Sequence, residues 1–200
     1  MNSLILAAVF ALVYHAVTIY NVRGIKLNVK NLCIGASTCA LTLILAAIMI
    51  PLPTGAVITC GSLLPIMILS LVYDMRLAIA CGWVCGVLAL ILLPVWQPVH
   101  WAQFFVEHMV CFSCLGYAGK FGSDKKYKVL CGAALVAMLQ LCGHTISGVI
   151  FYSQNAWDGW GAWAYSIAYN FTSRIPEQAI SALIIAALPL VRIKNAIKGR

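Results

Sequence analysis

The sequence predicts an all-α integral membrane protein that forms a single bundle of helices. Of its 200 residues, 63% are hydrophobic and 9% are charged, and the mean hydropathy is +0.96. Soluble domains average about half apolar and about a quarter charged residues, so this composition excludes a water-soluble globule and a disordered chain. Apolar runs of about 20 residues, the length that crosses a bilayer, occupy most of the sequence and leave no room for a large extramembrane catalytic domain.

Seven apolar runs define the predicted membrane-spanning helices. They cover residues 3–21, 31–50, 58–73, 77–95, 102–119, 129–151 and 163–191. The first run lacks a basic N-terminal region and a small-residue cleavage site, so we interpret it as an additional helix and not as a cleaved signal peptide. The predicted parts are therefore an extra helix with its joint (1–27), a six-helix membrane domain (28–191) and a basic tail (192–200).

Charged residues predict how these helices are oriented. The chain has 13 lysines and arginines and five acidic residues, which gives a formal net charge of +8. All the basic residues except Arg174 lie in alternate joints or in the tail. Positive joints stay in the cytoplasm, so the C-terminus is predicted to be cytoplasmic and the N-terminus to lie outside the cell. We interpret the excess of basic residues as a signal of membrane topology and of contact with anionic lipid, because no nucleic-acid-binding motif accompanies it.

The joints on the opposite side contain no lysine or arginine and are rich in proline, glycine and tryptophan. Tryptophans at this level typically form an interfacial belt, and their density here also suits the mouth of a binding site. The cluster consists of Trp96, Trp101, Trp157, Trp160 and Trp163.

Cysteines and glycines give no sign of a cofactor. The nine cysteines are odd in number and lie within apolar runs, so we interpret them as small apolar residues without a disulfide framework. Cys111 and Cys114 have no histidine or aspartate at metal-ligand spacing. No Walker or Rossmann glycine motif occurs, so the chain is not expected to hydrolyse ATP by itself.

Two pairs of small residues predict close helix contacts within the membrane. Ala36 and Ala40 are four residues apart in the second run, and Gly82 and Gly86 have the same spacing in the fourth. Such pairs let two helix backbones approach closely. They indicate either packing within the bundle or docking to a partner subunit.

Glu107 is the most informative single residue, because a carboxylate within a membrane helix is costly and usually faces a cavity or a partner. It either makes a buried hydrogen bond to another helix or acts as the counter-charge for a cationic ligand. His144, Gly148 and Tyr152, at i, i+4 and i+8, form one stripe near the outer end of the sixth run. A glycine gap beside an aromatic ring is predicted to make room for a flat group.

Tyr165 and Tyr169 share a face of the last run, whereas Asn170 lies about 140° from Tyr165 on a regular helix. Tyr165 and Asn170 can therefore line one cavity only if it is wide or the helix is irregular. Arg174 and Glu177 are three residues apart, which favours a local ion pair.

One carboxylate, a histidine and several aromatic rings suit an organic cation with flat rings, through charge pairing and cation–π contact. Neither a Ser-His-Asp set nor an HExxH motif occurs, so no catalytic residue is predicted. A small intramembrane enzyme that uses Glu107 and His144 as an acid–base pair is the remaining hypothesis of a different class.

The stretch from His144 to Asn170, which contains HTISGVIFYSQNAWDGWGA, resembles the thiamine-specific substrate-binding (S) component of energy-coupling factor (ECF) transporters. The segments 105–107 and 65–71 match more loosely. Asn28-Val29-Lys30 opens what resembles the family's first helix, with Ala36 and Ala40 at its alanine motif. The resemblance covers about residues 28–190.

This resemblance implies a six-transmembrane-helix S-component bundle in the cell membrane, and the apolar run 3–21 adds one extra N-terminal transmembrane helix that the family lacks. Members capture a vitamin from outside and dock, through surfaces that include the alanine motif, on a transmembrane coupling subunit driven by two cytoplasmic ATPases. By position, Glu107 would face the positive charge of the ligand. The other implied substrate-binding residues are His108, His144, Gly148, Tyr152, Trp157, Tyr165 and Asn170.

Three departures from the family pattern leave the ligand open. Tyr152 stands where the family commonly has tryptophan, His108 follows the glutamate where tyrosine is usual, and the outer loop 51–56 lacks the family's lid tryptophan. Thiamine is the leading prediction. A related ligand, such as a hydroxymethylpyrimidine precursor or another vitamin, is the alternative.

Overall fold

A computed structural model describes residues 3–93 and 97–199, without the side chain of Lys198. Trp96 of the predicted aromatic belt and Arg200 of the basic tail lie outside the described residues. The first half of the chain forms two long helices, a small hairpin, a short helix and another long helix. These elements are α1 (Ser3–Val22), α2 (Val29–Ala47), β1 (Met49–Pro51), β2 (Val57–Thr59), α3 (Leu64–Val72) and α4 (Met75–Leu92).

The second half begins with an irregular helical stretch, residues 101–119, which we call the composite helix. It consists of α5 (Trp101–Gln103), a π-helical turn (Phe104–His108, the π-turn), α6 (Met109–Ser113) and a 3₁₀ segment (Cys114–Gly119). After it come two long helices and a short terminal one. They are α7 (Lys126–Phe151), α8 (Ala162–Ala187) and α9 (Leu190–Lys198), with a 3₁₀ turn (Ser153–Asn155) between α7 and α8.

In the part of the chain that the structure describes, the helical segments follow one another in the order of the predicted runs, with α9 as a separate helix after α8. This confirms the all-α membrane fold class. Among the described residues, α1, α2, α4 and α7 are each long and apolar enough to cross a membrane. The pair α8 and α9 makes a fifth span if it is counted as one element despite a 66° bend between its two parts. The protein is therefore a multi-pass membrane protein.

Two predicted runs are interrupted. The run 58–73 is helical only from Leu64 onward, because its first residues form β2, which pairs antiparallel with β1 in the register Met49↔Thr59. The run 163–191 ends as a helix at Ala187, where Leu188 takes an extended conformation. The residue before a proline is biased away from helix, and Pro189 follows directly.

The basic joints meet at one end of the bundle. The Lys30 ammonium lies 5.9 Å from the centroid of the Tyr73 ring. This contact brings together the α1–α2 and α3–α4 connections. Near the same end, Ser70 accepts a hydrogen bond from the backbone N–H of Gly119 at 2.9 Å. The hairpin and the loop that follows Tyr152 lie at the opposite end.

The two small-residue pairs have different surroundings. A Cβ atom on Gly82 would overlap the backbone of Phe112, and one on Gly86 would lie 3.1 Å from the carbonyl oxygen of His108. This pair therefore brings α4 close to the composite helix inside the bundle. Ala36 and Ala40, by contrast, lie on the exposed face of α2.

Candidate functional site

A cavity of about 380 Å³ lies at the end of the bundle that carries the hairpin. The hairpin, the composite helix, α7 and α8 all contribute to its walls. Seven of the eight predicted ligand-facing residues line it: Glu107, His108, His144, Gly148, Tyr152, Tyr165 and Asn170. The predicted stripe on α7 and the face of α8 therefore meet the acidic residue of the composite helix around one space.

Glu107 is held by three side chains. His144 Nδ1 lies 2.9 Å from one carboxylate oxygen, and Gln103 donates to the other at 2.8 Å. The hydroxyl of Ser147 donates to that second oxygen as well. The Glu107 side chain keeps 20% of its exposure, so it is partly shielded while it still faces the cavity.

Gln103 and Ser147 were not singled out from the sequence. Gln103 is buried, accepts from the backbone N–H of Val99 at 2.9 Å and donates to the Tyr152 hydroxyl at 3.2 Å. The signal that could have found it is its position four residues before Glu107, on the same helix face. Ser147 follows His144 by three residues and shares its face for the same reason.

Glu107 and His108 lie in the π-turn. The backbone N–H of Met109 donates to the carbonyl of Phe104, five residues back, instead of to the carbonyl four residues back. Such turns occur often at functional sites. The sequence predicts a regular helix here, because no residue between Phe104 and His108 is a helix breaker.

Gly148 lines the cavity together with Tyr152, and it also lies at the contact between α7 and α8. A Cβ atom at this position would overlap the Ser166 hydroxyl, which donates to the carbonyl of Thr145 at 2.8 Å. The missing side chain thus also lets α8 approach α7.

An aromatic row extends from the cavity toward the outer loop. The rings of Tyr165 and Tyr169 are 5.6 Å apart, and Trp157 meets Tyr165 edge-on at 5.2 Å. Trp157 itself does not line this cavity and reaches it only through Tyr165. Asn170 donates to the carbonyl of Ser166 at 2.8 Å, which leaves its carboxamide oxygen available.

Arg174 and Glu177 form the predicted local ion pair at 2.9 Å. The pair also connects the hairpin to α8, which the sequence does not reveal. Glu177 accepts from the backbone N–H of Thr59 at 2.9 Å and from the Thr59 hydroxyl, and Arg174 donates to the carbonyl of Val57. One wall of the cavity is thereby fastened to α8.

The comparisons with known proteins agree with this architecture. A family model described as Thiamine transporter protein (Thia_YuaJ) matches residues 32–197. The chain belongs to the thiamine transporter protein family. It is 22% identical to the thiamine transporter ThiT of Bacillus subtilis over 157 residues, which cover 72% of this chain and 81% of that protein.

A solved structure of ThiT from Listeria monocytogenes superposes on this chain with a TM-score of 0.70 at 20% identity. The superposition covers 84% of this chain and 95% of the ThiT chain, which shows that the two proteins share a fold. The family consists of transporters, so the hypothesis of an intramembrane enzyme is set aside. Helix α1 precedes the residues that the family model matches.

Proposed function

We propose that the chain captures thiamine from outside the cell as the substrate-binding subunit of an ECF importer. The observation that carries the proposal is the position of Glu107, a carboxylate that faces a cavity also lined by aromatic rings. Membership in the thiamine transporter protein family supports the choice of ligand. The cavity volume of about 380 Å³ falls within the range of small-molecule sites, about 300–1,000 Å³.

The charge balance of the cavity favours a cation. Gln103 and Ser147 are neutral donors to Glu107. The guanidinium of Arg174, which also lines the cavity, is paired with Glu177 at 2.9 Å. With His144 in its neutral form the carboxylate keeps its negative charge, and a thiazolium ring would balance that charge in a site of low dielectric constant.

The shape and lining of the cavity favour flat rings. Tyr152, Tyr165 and Tyr169 all line it, and the last two are tilted by 36° to each other. Each aromatic face contributes about 0.5–2 kcal/mol to the binding of a cation. The free carboxamide oxygen of Asn170 would accept a hydrogen bond from an amino or hydroxyl group of the ligand.

The orientation and the partners complete the proposal. The basic end of the bundle would lie in the cytoplasm, which places the cavity toward the outside. Ala36 and Ala40 are exposed on α2 and would let the helix of a coupling subunit approach closely. Two cytoplasmic ATPases would supply the energy for release of the ligand inside.

Binding measurements on the purified protein test this function. Thiamine should bind saturably, and Glu107→Gln should weaken it by roughly 30-fold or more, the effect of about 2 kcal/mol for a truncated charge pair. Asp158→Asn is the matched control, because it removes the same charge from an exposed position in the outer loop and should bind like the wild type. Competition by hydroxymethylpyrimidine but not by thiamine would identify the alternative ligand.

A further inference from the structure

Helix α1 packs directly behind the cavity walls. Its small side chains Ala7 and Ala11 are buried, and they form a cluster with Val106 of the π-turn, around which Ile146 and Ile150 of α7 pack. Small residues four apart let the backbone of α1 approach closely. Thus α1 supports both elements that carry the partners Glu107 and His144.

The π-turn disturbs the backbone hydrogen bonding of the composite helix. In an α-helix, the carbonyl of Phe105 would accept from the N–H of Met109, four residues later. That N–H instead donates to the carbonyl of Phe104, so the usual helical donor of Phe105 is engaged elsewhere. A carbonyl without a donor is costly at membrane depth, because lipid offers no replacement.

His15 of α1 takes the place of that donor. Its Nε2 lies 3.0 Å from the carbonyl oxygen of Phe105. A carbonyl only accepts hydrogen bonds, so Nε2 must carry the proton. The imidazole is flanked by the indole of Trp83 on α4, with ring centroids 6.3 Å apart, which limits its freedom to turn away.

We propose that His15 is a positioning residue for the binding site and that α1 is part of the machinery that shapes it. Without His15, the turn can regain the ordinary helical bond to Phe105 if residues 101–104 shift by one position, about 100° and 1.5 Å. Gln103 lies in this segment and donates to Glu107 at 2.8 Å. The shift would remove that donor from the carboxylate. This inference rests on the proposed function.

Variants at position 15 separate positioning from general support. His15→Phe keeps a flat ring without a donor and should weaken thiamine binding about tenfold, whereas His15→Gln restores a donor and should bind within about threefold of the wild type. Thr18→Val is the matched control. It removes the hydrogen bonds of the Thr18 hydroxyl with the Tyr117 hydroxyl at 3.0 Å and the carbonyl of Tyr14 at 2.7 Å, neither of which involves the π-turn. It should lower the melting temperature as much as His15→Phe while the affinity stays unchanged.

Equal losses of affinity in His15→Phe and Thr18→Val, or wild-type affinity in His15→Phe, would overturn the proposal. Two readouts need no ligand. The ¹⁵N spectrum of the intact protein should show His15 protonated at Nε2, and a tautomer protonated only at Nδ1 would refute the bond even if the variants fail to fold. The amide ¹H–¹⁵N shifts of residues 104–109 should change in His15→Phe and stay as in the wild type in Thr18→Val, because only His15→Phe alters which carbonyls these N–H groups donate to. If wild-type protein does not bind thiamine, the proposed function fails, while these two readouts still decide the role of His15.

Discussion

Glu107 Oε1 and His144 Nδ1 lie 2.9 Å apart and join the composite helix to α7 at the cavity wall. The carboxylate only accepts hydrogen bonds when ionised, so Nδ1 carries the proton in this contact. The other imidazole nitrogen is then available as an acceptor or as an edge against a ligand. This pair fixes the place of the negative charge relative to the aromatic row on α8.

Replacing His144 tests this arrangement. We expect His144→Phe to weaken thiamine binding by about tenfold, since Glu107 loses one of its donors but keeps Gln103 and Ser147. Isothermal titration calorimetry on the purified variant measures the effect. A loss as large as that of Glu107→Gln would mean that recognition depends on the pair as a unit and not mainly on the carboxylate.

Gln103 should matter for both stability and binding. Its side chain is buried and its amide donates to Glu107 and Tyr152, so Gln103→Leu leaves both acceptors without this donor. The expected cost is about 1–3 kcal/mol in the free energy of unfolding, together with weaker binding. Thermal denaturation and ligand titration of the same sample measure the two effects, and a variant that changes neither would contradict the contacts.

Gly148 is predicted to be required for packing of α7 against α8. Gly148→Ala should cost about 1–3 kcal/mol of stability, because the added methyl group meets the Ser166 hydroxyl. The double variant Gly148→Ala/Ser166→Gly should recover most of this loss, which thermal denaturation would show. A destabilisation that Ser166→Gly does not relieve would indicate that another contact limits position 148.

Glu177 is predicted to fasten the hairpin. Glu177→Gln leaves the half-buried Arg174 without its counter-charge, and the expected cost is below the roughly 3–5 kcal/mol of a fully buried pair. The amide of Thr59, which donates to this carboxylate, should exchange with solvent markedly faster in the variant. Lys128→Gln breaks an exposed ion pair with Asp124 and is the control. Unchanged protection of Thr59 in Glu177→Gln would refute the role.

The sequence was sufficient to predict the order of the helices, because an uninterrupted apolar run of about 20 residues nearly always forms a membrane-spanning helix. It also indicated most of the cavity wall, since polar and aromatic residues in a membrane helix stand out against an apolar background. Seven of the eight predicted ligand-facing residues line the same cavity. Trp157 is the exception, because the turn at 153–155 directs it against Tyr165.

Other features depend on contacts between distant segments and have no local signature. The strands at 49–51 and 57–59 are only three residues long, and β2 is bonded to α8 through Val57 and Thr59. Their apolar residues do not differ in the sequence from those of the neighbouring helices. The π-turn contacts His15, which lies 90 residues before Phe105. The use of Gly148 depends on Ser166, and Gln103 is an ordinary polar residue until Glu107 and Tyr152 are placed beside it.

One comparison tests the central claim most directly. It sets the affinity of the wild-type protein for thiamine against its affinity for an uncharged analogue, in which a neutral aromatic ring replaces the thiazolium. Calorimetric titration of both ligands against wild type and Glu107→Gln completes a double cycle. We predict that the wild type prefers thiamine by roughly 30-fold or more and that Glu107→Gln binds both ligands about equally. Equal affinity of the wild type for the two ligands would contradict the account, because the buried carboxylate would then have no cation to recognise.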